Sequence, residues 1–284
     1  MTDYYRYSVQ KDGAFLAGYH WASAVKAQRA YLAEHLRIVR ITEGSGEWKI
    51  GNTVFSVGKG DILLFNNVTP RQIVSVTNAP LSYELIGFST HVFGMETQYI
   101  RIFYTGNASL PILSAELAVC REVGILFDLI KKRFVSGDPS PSVVAGLVNA
   151  ACMLIGECFE ERYEQEREMG VPSKMSSLLV ERAIAYMEEN LCHIHSVSEV
   201  AEYLHVSRGY FHKLFTRYTG LTPGCFLNHS RIVRFLSKIS TEDVTILDAA
   251  MACGFESASG FYKTFAAVCG TSPREYLSGE NKNL

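Results

Sequence analysis

Ala250-Met251-Ala252-Cys253-Gly254-Phe255-Glu256-Ser257, followed by Phe261-Tyr262-Lys263-Thr264-Phe265 and Gly270-Thr271-Ser272-Pro273-Arg274-Glu275-Tyr276, decides the fold of this chain because much of it occurs twice. Phe211, Lys213, Phe215, Gly220, Thr222, Pro223 and Phe226 recur as Phe261, Lys263, Phe265, Gly270, Ser272, Pro273 and Tyr276, each displaced by 50 residues. Seven matches at one offset mark an internal duplication. Upstream the offset is 49, since Ala201, Leu204 and Val206 correspond to Ala250, Cys253 and Phe255, so a turn has absorbed one residue.

Each copy reads as two short helices joined by a tight turn. In the first, Ser198 is placed to cap a helix carrying Val200, Ala201 and Leu204, and Ser207 to cap a second carrying Phe211, Leu214 and Phe215. Only His205-Val206-Ser207 separates them, so the helices must cross steeply, with Val206 plugging the corner, as in a helix-turn-helix. The outer face of the second helix then holds Arg208, Gly209, His212, Lys213 and Arg217, residues suited to base edges and phosphates in a major groove. In the second copy Thr245 caps, Ile246, Ala249 and Ala250 pack, and Ser257, Ala258, Ser259, Tyr262 and Lys263 face out. Gly220 and Gly270 stand where left-handed C-caps end the second helices.

Between Tyr203 and Thr241 there are six basic residues (Arg208, Lys213, Arg217, Arg231, Arg234, Lys238), three histidines and no acid. From Glu242 onward the balance is three basic to six acidic, so the second copy is expected to use shape and polar contacts more than charge. Phe211, Phe215, Phe261, Phe265 and Tyr276 read as core.

On these residues the segment Ser198 to Tyr276 resembles the AraC/XylS family of bacterial transcription regulators. The resemblance implies seven helices, with Arg231 to Ile239 in a long linker helix that sets both readers in successive major grooves of duplex DNA. It also implies a base-reading surface of Gly209, His212 and Lys213 in the first copy and Ala258, Ser259, Tyr262 and Lys263 in the second. The chain departs from the family at Ala266-Ala267, where basic residues are frequent, and at Gly209 and Gly260, where larger side chains are common.

Working outward, the 284 residues predict two domains at roughly 100 to 200 residues each, and 48% hydrophobic against 20% charged residues excludes a disordered chain. Twenty-seven Lys and Arg against 29 Asp and Glu give no global signature of nucleic-acid binding, so that partner rests on local charge. Seven cysteines with no C-x-x-C pair argue against a disulfide framework or a zinc site and fit the cytoplasm. The longest nearly uncharged run, Pro139 to Gly156, is interrupted by Asn149 and glycines, so no membrane span is expected. From Leu36 to Val76 apolar residues alternate in short runs punctuated by glycines, a strand meander whose examples are Leu36–Ile41 and Asp61–Phe65, with a further strand at Leu81–Phe88. Apolar helices at 114–131 and 143–168 follow, then a charged connector. The expected architecture is α+β multidomain: residues 1–165 a cupin-like β-barrel with two helices for effector binding and dimerisation, 166–177 a linker, and 178–280 an all-α double helix-turn-helix of seven helices.

The meander with Gly44-Ser45-Gly46, Gly58-x-Gly60-Asp61 and Thr69-Pro70 looks like the cupin-type barrel that many members of the family carry. A catalytic cupin needs histidines and a carboxylate converging on one metal. Here Arg71 follows Pro70, and His20, His35 and His91 are isolated, so no metal, cofactor or catalytic residue is expected. Strand alternation puts Arg37, Val39, Ile41 and Glu43 on one face. Arg37, Glu43, Arg71 and Tyr83 are therefore the effector candidates, arginine forks suiting carboxylates or sugar hydroxyls. The reading is a cytoplasmic activator of a catabolic or adaptive operon that binds double-stranded DNA as a homodimer, answers a sugar or small acid, and contacts RNA polymerase if it activates. The alternatives are a regulator that senses a protein partner or only dimerises, and a cupin metalloenzyme.

Overall fold

A computed structural model describes residues 6–11, 14–28, 30–89, 102–104, 112–137, 139–167 and 174–279. Strands β1 (Tyr7–Lys11), β2 (Ala14–Ala24), β3 (Leu36–Ile50), β4 (Thr53–Gly58), β5 (Ile62–Phe65), β6 (Arg71–Phe88) and β7 (Ile112–Leu113) form one antiparallel sheet in the order β1-β2-β6-β3-β5-β7, with β4 beside β3. The short strands expected at Leu36–Ile41 and Leu81–Phe88 are the ends of two long ones. In a flat sheet Trp48 would stand some ~23 Å along β3 from Ile41. Its ring instead lies 5.2 Å from that of Tyr83, the residue opposite Ile41, and 5.4 Å from that of Phe65, opposite Arg37. The sheet has curled back on itself into a barrel. The register between β3 and β6 shifts between Ile41 and Glu43, around Ser45 and between Glu47 and Trp48, and such bulges bend both strands together. Gly44 at φ +78° makes the sharpest bend possible, because a Cβ there would stand 2.3 Å from the Pro80 carbonyl oxygen.

The inner face buries Val39, Ile41, Trp48, Phe65, Ile73 and Tyr83. The outer face, with Leu36, Ile38, Leu64, Ile86 and Phe88, packs on α1 (Ala118–Val135) and α2 (Pro141–Arg167). By length and mean hydropathy (1.7) Pro141–Phe159 could cross a membrane, a property the interruptions at Asn149 and the glycines do not remove. In the fold Val144, Val148, Ala151, Cys152, Ile155 and Phe159 form a buried stripe at helical spacing, as a packed core helix requires. A polar clasp orients α1 on the sheet. The Glu84 carboxylate, buried on the outer face, accepts bonds from Arg40 Nη2 (2.5 Å), Lys131 Nζ (2.6 Å) and Tyr19 Oη (2.7 Å), while Arg40 also donates to Asp128 (2.6 Å) and the Gly124 carbonyl (2.9 Å). Burial raises the Glu84 pKa, but the bonds from Lys131, Tyr19 and Arg40 outweigh it and hold the carboxyl below its ordinary range.

Among the described residues the C-terminal part holds seven helices: α3 (Lys174–Glu189), α4 (Val197–Tyr203), α5 (Arg208–Thr219), α6 (Pro223–Thr241), α7 (Ile246–Ala252), α8 (Ala258–Cys269) and α9 (Pro273–Gly279). Of the connector expected at 166–177, residues 166–167 belong to α2 and 174–177 to α3, and 168–173 lie outside the described residues. Ser207 and Thr245 cap α5 and α7 as expected, and Gly220 and Gly270 are left-handed C-caps. The first cap is Ser196 rather than Ser198. Ser196 and Glu199 form a reciprocal capping box, which starts α4 two residues earlier than the serine nearer its apolar face implied.

The two parts share their interior. Leu32, before β3, is buried in the core of α7–α9. In the loop after β5, Asn66 Oδ1 accepts the Val68 and Thr69 amides (3.0 and 2.7 Å), presenting Asn67 and Val68 to the helices. Asn67 donates to Glu188 of α3 (3.2 Å), His229 Nδ1 of α6 donates to the Val68 carbonyl (2.7 Å), and Tyr104 packs on Phe226. Burial pushes the Glu188 carboxyl up to about 7, against bonds from Asn67 and Tyr104 that favour its charge.

Two outcomes follow from these buried charges. Arg40→Met should cost about 3 kcal/mol in urea unfolding by removing a partner from buried Glu84; a loss within the range of surface pairs would show the clasp to be screened by water. Glu188 holds its proton more tightly folded than unfolded, so its contribution is present at low pH and lost as pH rises through about 7. Glu188→Gln should therefore melt progressively above wild type between about pH 5 and 8, and a constant difference would show that Glu188 is already charged at the lower pH.

Candidate nucleic-acid interface

Helix α5 is built from one buried and one exposed edge. Phe211, Leu214 and Phe215 face the core, with Phe215 edge-on to Phe226 of α6 at 5.3 Å. Ser207 Oγ accepts the Tyr210 amide (3.3 Å), opening the helix at the turn. That turn follows one pattern in both copies: the Val206 amide reaches the Ala201 carbonyl (3.0 Å) and the Phe255 amide the Ala250 carbonyl (3.3 Å), across left-handed His205 and Gly254. Helix α8 repeats the plan, with Ser257 Oγ accepting the Gly260 amide (3.1 Å) and Phe261, Phe265 and Val268 buried.

With one edge locked, the opposite edge is solvent-facing. Arg208, Gly209, His212, Lys213 and Arg217 are all exposed on α5. Ser257, Ser259, Tyr262 and Lys263 are exposed at α8, and Ala258 is half-buried. The structure therefore brings the ten sequence-predicted residues into two separate exposed edges, one on each second helix. Each is headed by a helix N-terminus whose free amides favour phosphate.

The charge census changes on inspection. Of the six basic residues between Tyr203 and Thr241, Arg231 is buried at 8% exposure and points inward, and Lys238 pairs with Glu242 (2.6 Å). Arg208, Lys213, Arg217 and Arg234 remain on the surface. Tyr210, 47% exposed one turn before Lys213, extends the α5 edge and was missed because its position in the other copy is Gly260, which has no side chain to compare.

The effector candidates divide. Arg37 and Tyr83 are buried on the inner face of the barrel, as expected. Arg71 is fully buried, its guanidinium 4.9 Å from the Phe65 ring and 5.2 Å from that of Tyr31, with Nη1 donating to the Asn66 carbonyl (2.7 Å). It thereby also shapes the loop that reaches the helices. Glu43 does not share the face of Arg37, Val39 and Ile41. The bulge after Ile41 pairs Glu43 with Ser82, whose side chain lies opposite to that of Tyr83, and Glu43 is exposed. Two further polar groups point into the same interior region. Trp48 Nε1 and His20 Nδ1 are buried without a hydrogen-bond partner, and burial together with the charges of Arg6 and Arg37 lowers the His20 pKa.

Comparison with known proteins places these features in a family. Residues 30–134 match the AraC-like ligand binding domain and residues 200–279 a helix-turn-helix domain. Over 257 residues the chain is 24% identical to the melibiose operon regulatory protein of Escherichia coli strain K12, covering 82% of this chain and 78% of that one. Over 239 residues it is 26% identical to the raffinose operon transcriptional regulatory protein of Pediococcus pentosaceus, covering 83% and 82%. The solved structure of ToxT from Vibrio cholerae has the same fold, with a TM-score of 0.56 at 15% identity over 92% of this chain and 98% of that one. A curled sheet carrying two helices, joined to twin capped reading helices, is thus the architecture of the AraC family of DNA-binding transcription regulators, to which this chain belongs.

Proposed function

We propose that this regulator activates an operon for sugar use, reading DNA with the exposed edges of α5 and α8 and answering a small molecule held by the barrel. The observation that carries the DNA half is the pairing of two capped helices, each locked by aromatics on one edge and bare on the other. The roles are divided. Arg208, His212, Lys213 and Arg217 supply most of the charge and contact phosphates and guanine edges, whereas Ser257, Ala258, Ser259 and Tyr262, with Lys263, read by polar and shape contacts. The protein acts by binding and not by catalysis, in the cytoplasm where the DNA is.

The sugar half rests on the names of the relatives and on the interior of the barrel, where Arg37, Tyr83, Arg71, His20 and Trp48 offer donors and flat rings in one region. An effector that prefers one barrel shape would shift the loop 66–70 and with it α3 and α6, since Asn67 and Val68 bond both. A homodimer forms through α1 and α2, where Ile125 (62% exposed) and Leu129, Val143 and Met153 leave an apolar surface uncovered. As a dimer the protein presents four reading helices, and RNA polymerase is the further partner of an activator. One observation favours a second reading: Trp48, Phe65 and Tyr83 pack against one another inside the barrel, which suits a domain that senses a protein partner or only dimerises.

Lys213→Ala should weaken binding to a fragment enriched from random duplex DNA by about 1 to 3 kcal/mol, read by gel-shift titration, with stability unchanged. An unaltered affinity would remove Lys213 from the interface. Melibiose, raffinose and small carboxylates at millimolar concentration should include at least one that raises the melting temperature; if none does, the partner-sensing reading stands in its place.

A further inference from the structure

The two helix-turn-helix units have separate cores. Phe226 and Leu227 of α6 belong to the core of α3–α5, whereas Ile232, Val233, Phe235 and Leu236 belong to that of α7–α9. Between these sets sits Arg231. Its Nε donates to the Leu191 carbonyl (3.3 Å) and its Nη2 to the Ile194 carbonyl, both in the segment after α3. The guanidinium lies 6.0 Å from the ring of Phe255, in the turn of the second unit. Gly254 stands on the same spot at φ +90°, and a Cβ there would be 3.0 Å from Arg231 Nε and 3.0 Å from the Cys192 carbonyl oxygen. One buried cation therefore ties the α3–α4 connector of the first unit to the turn of the second, with a glycine leaving it room. A planar fork can hold two carbonyls and face a ring at once, and a buried hydrogen-bonded group fixes orientation where apolar contacts would allow sliding.

We propose that Arg231 is a positioning residue that sets the separation and rotation of α5 and α8, and through them the base-pair spacing that the protein accepts between its two contacted DNA segments. This rests on the reading that both helices contact DNA. Arg231 touches no DNA itself: it is buried and faces the protein.

The test is selection from a pool of random duplex DNA with the full-length protein, sequencing the enriched fragments for wild type, Arg231→Met, Arg231→Lys and Gly254→Ala. For each protomer, wild type should enrich two sequence blocks at one fixed separation of about one helical turn. Arg231→Met should keep both blocks but accept several separations, and bind the wild-type arrangement about 10-fold more weakly while binding a single block as before. Arg231→Lys should fall between, since an ammonium cannot hold both carbonyls and the Phe255 face. Gly254→Ala should relax the spacing with Arg231 still present. Unchanged spacing in Arg231→Met and Gly254→Ala overturns the proposal. So does loss of both blocks in every variant that still melts cooperatively, because that would mean a role in the core alone. A wild type that enriches only one block overturns the underlying two-helix reading instead.

Discussion

In each reading unit a phenylalanine of α6 is trapped against phenylalanines of the reading helix: Phe226 against Phe215 at 5.3 Å, and Phe235 against Phe261 and Phe265 at 4.8 and 5.8 Å. Such pairs contribute about 0.5 to 1.5 kcal/mol each beyond the area they bury, but their larger effect is geometric. A helix whose 211, 214 and 215 positions are buried has no choice about where 208, 212, 213 and 217 point. The exposure of the reading edge is therefore a consequence of packing, not of the polarity of the residues on it. That explains how Gly209, which carries no side chain, still lies on the exposed edge.

This is why the C-terminal half was legible from sequence and much of the barrel was not. Caps, C-cap glycines and i, i+4 stripes are decided within a few residues, and Ser207, Thr245, Gly220 and Gly270 all do what their local chemistry demands. Face assignments along β3 depend on alternation continuing, and one bulge after Ile41 moves Glu43 to the other side. Arg231 was misjudged for a different reason. Counted as charge it belongs with Lys213, yet it lies four residues after Leu227 and four before Phe235, both buried, so helical period alone places it inside. Composition was allowed to outweigh position. His229 was beyond local reading, because its partner, the Val68 carbonyl, comes from a distant segment.

The contacts between sheet and helices give the coupling a physical form. Leu32 enters the core of the second unit, while Asn67 and Val68 hold α3 and the linker helix of the first. A change in barrel shape thus pushes on both units through different segments, one before β3 and one after β5. Arg71 belongs to both sides of that relation: its guanidinium lies against Phe65 of the interior and its Nη1 supports Asn66, which folds the loop. A ligand that moved the interior rings would move the loop by the same contact, without needing a longer path.

The two copies differ most tellingly at one backbone position. Both turns need a left-handed residue, and the first uses His205 at φ +56° where the second uses Gly254 at φ +90°. A non-glycine residue there costs roughly 1 to 2 kcal/mol, so glycine is favoured in both places on local grounds alone. His205 is exposed, and the first copy carries the strain there. In the second copy the same position faces Arg231 and the Cys192 carbonyl, and any Cβ meets both at 3.0 Å. Glycine is favoured there both by the left-handed turn and by the contact between units, where an added Cβ would press on the Arg231 side chain and the Cys192 carbonyl. The two copies therefore differ at the position where the turn of the second unit meets the connector of the first, beside Arg231.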